Sequence, residues 1–383
     1  MNDSVITFSD PDFGAAELAA VQAVLGSSYL SDGPQQAAFE TEFAKYIGRR
    51  HAVSVSGARI GLLLALRALG IGPGDEVIAS AYGWRELAHA VAQAGATPRF
   101  VDIDYWSGTL PPDKVEAAIT PATRAILAGN TLGHPAAWAP LRALADRHGL
   151  RLLEDSSEAI GSRYQGRLVG SFGDLAVFDF SQPAALCCGT GAMLVTDDDD
   201  LAAALRRLRS RQPAERGNIV ASGVAPYGAQ CGELAAALGR VQLRRLPELL
   251  ARRRDVETYY REHVLSFEGI KPPYQAPEVD ELHWFTYVLH LGTRFTRSSR
   301  DAIVDDLATE AVEAHAYCQP LHRQRAYLPS GQMAQKLAIT ERLADRAVAL
   351  PFHAHLDADQ VGFIVATLKD ASVNVGAGSA IYL

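Results

Sequence analysis

Apolar positions along the chain follow two spacings that alternate. Short apolar runs at Ala52–Val55, Val77–Ala81, Arg99–Ile103, Arg124–Ala128, Leu152–Asp155, Leu175–Phe180 and Ala192–Thr196 predict strands. Between them, apolar residues at helical spacing predict helices over Ala15–Leu25, Ala37–Tyr46, Ile60–Leu69, Arg85–Ala94, Pro112–Ile119, Pro140–His148 and Leu201–Ser210. The acidic run Asp197–Asp200 reads as the cap of the last of these rather than as a metal site. Strand–helix alternation of this kind implies an α/β fold with a doubly wound, mostly parallel sheet. Sites in such sheets lie at the carboxyl ends of strands, where Trp84, Asp155 and Phe180-Ser181 fall.

The second half changes character. Arg211–Gln230 is rich in Gly and Pro and predicts a long loop. Leu234–Leu243 reads as a helix, and Leu246–Val264 as a separate Arg-rich helix linking two domains. The expected division is 1–245, a large α/β domain, and 246–383, a smaller α+β domain with a strand at Trp284–Leu291 and helices at Ser298–Glu310 and Asp357–Ala371. The last residues, SVNVGAGSAIYL, are expected to be mobile or to lie on the surface. A net charge of -8 argues against non-specific nucleic-acid binding. No apolar run reaches membrane-spanning length, and the N-terminus lacks a leader pattern. The four cysteines, Cys187, Cys188, Cys231 and Cys318, imply no disulfide framework, so a reducing cytoplasm is the expected location.

One stretch carries most of the chemistry: LLEDSSEAIGSRYQGRLVGSFGDLAVFDFSQPAALCCGTGAMLVT, residues 152–196. It resembles the cofactor segment of the DegT/StrS sugar aminotransferases, pyridoxal phosphate (PLP) enzymes of fold type I. The resemblance extends from about Thr7 to about Leu368 and includes HWFTYVLHL, QPLH and LPFH near the C-terminus. It implies that Asp155 of the E-D block pairs with the pyridinium nitrogen and that Trp84 stacks on the ring. It also implies that Ser56-Gly57, at a helix start suited to anions, meets the phosphate. In that family F-S-F-x-x-x-K supplies a phosphate-binding Ser and the Schiff-base Lys. Here Phe178-Asp179-Phe180-Ser181-Gln182-Pro183-Ala184 puts Asp179 and Ala184 at those positions. Arg59 follows Ala58 where the family has S-G-T-A, and Gly228 and Gln230 stand where its G-x-N-x-R loop has Asn and Arg. The five lysines, Lys45, Lys114, Lys271, Lys336 and Lys369, fall away from the strand ends near Asp155.

Three expectations follow. The first is a family member of sugar or natural-product biosynthesis that works without PLP. It would run an acid/base cyclisation, dehydration or isomerisation with Asp155, Glu158, His322, Ser181 and Gln182 as catalytic candidates, in a vestigial pocket of Trp84, Ser56, Gly57, Arg59, Asp179 and Ala184. The alternative is a PLP- or PMP-dependent aminotransferase or dehydratase, with Ala184 as a lysine replacement that leaves any cofactor non-covalently held. The third is a non-catalytic partner subunit. Arg85, Glu86 and His134 are weaker candidates. A small polar substrate and a homodimer are expected as partners, with no metal.

Overall fold

The computed structural model describes residues 5–84, 87–210, 225–264, 270–271, 273–327 and 335–381. The large sheet contains β1 (His51–Val55), β2 (Glu76–Ser80), β3 (Thr97–Val101), β4 (Thr123–Gly129) and β5 (Arg151–Asp155). After a small hairpin, β6 (Arg163–Tyr164) and β7 (Arg167–Leu168), it is completed by β8 (Leu175–Asp179) and β9 (Ala192–Thr196). The order is β1-β9-β8-β5-β4-β2-β3. Pairing is parallel from β8 through β3 and antiparallel where β9 meets β8 and β1. The expected α/β class is thus observed.

The central strands are buried on both faces over most of their length, so they read as apolar runs rather than as an alternation. The period of two still sorts the side chains. Val77, Ala79, Leu127, Leu153 and Val177 pack on the face covered by α3 (Ala58–Ala68), α4 (Ala88–Gln93) and α7 (Asp199–Arg209). Their neighbours Ile78, Ile126 and Leu152 face α5 (Pro112–Ala117) and α6 (Trp138–His148). Ala176 and Phe178 meet α2 (Pro34–Ile47) and α8 (Glu233–Val264), where Phe39, Phe43, Phe178 and Phe180 form an aromatic cluster. A first helix, α1 (Ala15–Leu25), lies on α8, held by Glu17 to Arg245 at 2.7 Å and by Asp12 to Arg245 at 2.6 Å.

One expectation is corrected. The two helices on either side of residue 245 are one: α8 runs unbroken through Pro247. Proline removes one N–H from the ladder and usually marks a break, but Leu243, Leu246, Leu249 and Leu250 are buried along this stretch, and the helix continues past it. α11 (Ala358–Ile381) runs into the C-terminal residues expected to be mobile or on the surface, with Ser372 buried and Val373 exposed. The helix expected from Arg85 is described only as α4, because residues 85–86 lie outside the described residues.

The C-terminal part forms a second sheet, β10 (Ile270–Lys271), β12 (Tyr287–Leu291), β14 (Ala347–Leu350) and β13 (His315–Ala316), in that order and antiparallel throughout. A short β11 (Val279–Glu281) instead pairs with β6 of the large part. Helices α9 (Arg297–Thr309), α10 (Ala338–Ala344) and α11 flank the second sheet. Arg253 of α8 is buried here, with no carboxylate paired to it among the described residues. It donates to the carbonyls of Phe352, Trp284 and Phe285 at 2.8–2.9 Å and so ties the long helix to the small sheet.

Candidate functional site

The carboxyl ends of β2, β4 and β5 open into a cleft of about 440 Å³, its open mouth included. Its walls come from Ser80, Tyr82 and Gly83 after β2, Asn130 and Thr131 after β4, and Asp155 and Glu158 after β5. Leu321 closes it from the C-terminal part, with its N–H donating to the carbonyl of Ala81 at 3.0 Å. This is where parallel α/β sheets expose free strand ends. Among the described residues, no group of three or more His, Cys, Asp or Glu side chains could hold a metal, and no helix is long and apolar enough to cross a membrane.

The E-D block divides its labour. Glu154 is fully buried and points away from the cleft. Its carboxylate accepts from the Asn130 side-chain amide, the Ser156 hydroxyl and the N–H groups of Gly170, Phe172 and Gly173, at 2.5–3.1 Å. Oriented donors replace the water that a carboxylate loses on burial. Gly173 is required there, since a Cβ would stand 2.8 Å from the carbonyls of both Leu152 and Leu175. Asp155, half-buried at the strand end, faces the cleft and accepts from Ser157 N–H at 3.0 Å. Glu158 is buried in the cleft wall and accepts from Trp84 N–H at 2.8 Å, Leu132 N–H at 2.7 Å and the Tyr317 hydroxyl at 2.6 Å. Burial, then the Glu158 charge, pushes the Tyr317 phenol well above its ordinary range, so it stays a donor.

The loop after β8 is organised differently. Asp179 accepts from the backbone N–H of Ser181 at 2.9 Å and from its hydroxyl, an Asx-type turn in which the carboxylate caps its own loop. Ser157 Oγ accepts from Asp179 N–H at 3.1 Å. Gln182 is exposed and donates to the carbonyl of Ser9, and Ala184 is half-buried. The loop closes through Phe180 N–H to Gly191 and Cys188 N–H to Phe180. Cys187, Cys188, Cys231 and Cys318 are all buried free thiols; burial pushes Cys231 and Cys318 up to about 12.

At the start of α3, Gly57 occupies the cap position with no side-chain cap, and Ser56 and Arg59 are exposed. Ser56 N–H donates to the carbonyl of Ala229, which fixes the segment around Gly228 and Gln230 beside it. An uncapped helix start offers N–H groups to a phosphate, and a carboxylate at a strand end can hold a protonated ring nitrogen. These are the donor and acceptor types that a vitamin B6 phosphate uses. Lys45, Lys114, Lys336 and Lys369 lie outside the lining of this cleft, with Lys114 donating to the Ile103 carbonyl at 3.0 Å.

Other sequence candidates sit elsewhere. The Trp84 ring is not in the cleft lining; it stacks on Phe8 at 5.5 Å and packs against Phe285, His315 and Tyr317. His322 lies in the C-terminal part but is buried against Glu341 at 3.1 Å, leaving its neighbour Leu321 to face the cleft. Glu341 is desolvated, yet the bonds from His322 and Arg323 outweigh that and hold its carboxyl low. His134 is buried with its ring nitrogens on Pro135 O and Ala276 N–H, and burial lowers its pKa. Arg85, Glu86 and the loop from 211 to 224 lie outside the described residues. Sequence reasoning missed Asn130, Leu132 and Tyr317. Asn130 carries a readable signal, a polar residue directly after a strand; Tyr317 carries none, lying 159 residues from the carboxylate it meets.

Comparison with known proteins agrees with this architecture. The sequence profile of the DegT/DnrJ/EryC1/StrS aminotransferase family matches residues 11–369. The erythromycin biosynthesis sensory transduction protein EryC1 of Saccharopolyspora erythraea is 37% identical over 353 residues, covering 91% of this chain and 93% of that protein. The crystal structure of S. venezuelae DesV, in complex with a ketimine intermediate, superposes with a TM-score of 0.86 at 34% identity, over 96% of this chain and 99% of DesV. Spr1654 of Streptococcus pneumoniae, described as a sugar aminotransferase and seen in its PMP form, superposes with a TM-score of 0.91 at 26% identity, over 98% and 100%. With the family profile matched over residues 11–369 and a relative 37% identical over 91% of its length, this chain belongs to the DegT/DnrJ/EryC1/StrS aminotransferase family.

Proposed function

We propose that the chain is a sugar-aminotransferase-type enzyme of small-molecule biosynthesis whose cleft takes PMP or PLP without a covalent bond to the protein. The observation that carries this reading is the coexistence of Asp155 at the β5 end with alanine at position 184. When bound, the group supplies amino transfer at a carbonyl carbon of the substrate. Asp155 would hold a proton at the ring nitrogen, and the N–H groups at the start of α3, with Arg59, would orient the phosphate. Leu321 and Tyr82 would keep water from the reacting face. DesV with its ketimine and Spr1654 with its PMP support this ordering, which reverses the sequence expectation of a B6-independent reaction as the leading one.

The test is a titration of the purified chain with PMP and PLP, followed by absorbance and by borohydride treatment. Saturable binding of PMP, with no pyridoxyl-lysine peptide, is the expected result. A pyridoxyl-lysine peptide, or no binding of either form, would overturn it. In the second case the cofactor-free proton-transfer reading, favoured by a carboxylate at position 179, takes its place. We also infer a homodimer: Leu18, Leu25, Tyr29 and Leu30 are 54–62% exposed on one N-terminal segment, which is the apolar surface a second copy would cover. Sedimentation at micromolar concentration decides it.

A further inference from the structure

Glu158 belongs to the block that the sequence offers as acid/base machinery, yet its carboxylate is buried among donors from three separate parts of the chain. Trp84 N–H comes from the loop after β2, Leu132 N–H from the turn after β4, and the Tyr317 hydroxyl from the small domain. Two of those segments wall the cleft. The turn after β4 is costly to form: Leu132 has φ of 59°, a region that a branched side chain rarely adopts. Such a conformation persists only where the surroundings over-determine it. Here Glu158 takes the Leu132 N–H, and Phe285 N–H donates to its carbonyl at 3.1 Å. Gly133, with φ of 101°, lies so close to the small domain that a Cβ would stand 2.1 Å from the His283 carbonyl. Tyr82 adds a hydroxyl contact to His290 at 3.2 Å.

We propose that Glu158 is a docking latch: through it the small domain's Tyr317 sets the geometry of the two loops that wall the cleft, so Tyr317 is a positioning residue for whatever the cleft binds. The carboxylate relays rather than reacts. Its donors come from both domains, and it can satisfy all of them only when the domains are docked in this arrangement. The latch deepens the reading of the cleft as a B6-phosphate site but is tested independently of it.

The experiment uses the full chain and Tyr317→Phe, which removes only the hydroxyl, with Glu158→Gln as the second variant. Amide hydrogen exchange is read at Trp84 and Leu132 and, for reference, at Ile126 and Leu153 in the sheet. The expected result for Tyr317→Phe is exchange at least tenfold faster at Trp84 and Leu132 with the sheet amides unchanged. The same protein should bind PMP at least threefold more weakly. Glu158→Gln should accelerate at least one of the two amides, because the NH2 that replaces one carboxylate oxygen cannot accept from a backbone N–H, while Trp84 and Leu132 donate to different oxygens. Unchanged exchange at Trp84 and Leu132, or an equal acceleration at all four positions, overturns the latch. If the unmodified chain takes up no PMP, the functional reading fails and the exchange measurement alone judges the latch.

Discussion

The two halves of residues 152–196 solve the burial of a carboxylate in opposite ways. Glu154 takes five donors drawn from residues 130 to 173 and thereby pins three backbone segments behind the sheet. Asp179 takes two donors from Ser181, two residues on. The first acid is part of the scaffold, and the fold needs it whatever the cleft contains. The second, through these two bonds, caps its own turn. The contrast is between an acid that fastens distant segments and one whose bonds to Ser181 are local.

Glu154→Ala is the strongest test of this contrast. It leaves at least three backbone N–H groups without an acceptor, and at about 1–3 kcal/mol each the loss is at least about 3 kcal/mol. Urea denaturation should show a much lower midpoint or no cooperative transition; a midpoint within experimental error of the parent would mean that the scaffold role is misassigned.

The same distinction between groups the fold depends on and groups it tolerates extends to the small domain, where His353 is buried and burial lowers its pKa to about 4. The unfolded chain protonates it near 6.5 while the folded chain does not. Stability from this group is therefore complete above about pH 6.5 and lost as pH falls toward 4, by about 3 kcal/mol in total. Thermal midpoints between pH 7 and pH 4.5 should fall more steeply for the parent than for His353→Gln. Equal slopes would contradict the assignment.

Asp179→Ser sharpens the comparison from the other side. Its cost to stability should stay within about 1 kcal/mol, since serine can cap the same turn. PMP affinity should rise, because an anion beside a phosphate at about 4 Å costs up to roughly 4 kcal/mol at an effective dielectric of about 20. Calorimetric titration reads it, and unchanged affinity would place the carboxylate away from the phosphate. The smallest effect is expected at Ala184→Ser, a half-buried loop position: within about 0.5 kcal/mol in urea, and a larger loss would show the loop to be packed more tightly than its exposure indicates.

Periodicity alone determined the α/β class, the doubly wound sheet and the strand end that carries Asp155, because strands buried on both faces and helices covering them each leave a local spacing in the chain. The resemblance to the family's F-S-F-x-x-x-K segment is what put Ala184 at the lysine position. The tertiary structure decided the rest. It carried α8 through Pro247, turned His322 toward Glu341 and away from the cleft, drew Trp84 into an aromatic cluster with Phe8, and brought Tyr317 onto Glu158. Each of these depends on which distant donor, acceptor or ring a side chain meets. Sequence spacing encodes the face of an element on which a residue sits, whereas the partner across a domain boundary is chosen by how loops fold back and how buried polar groups satisfy one another.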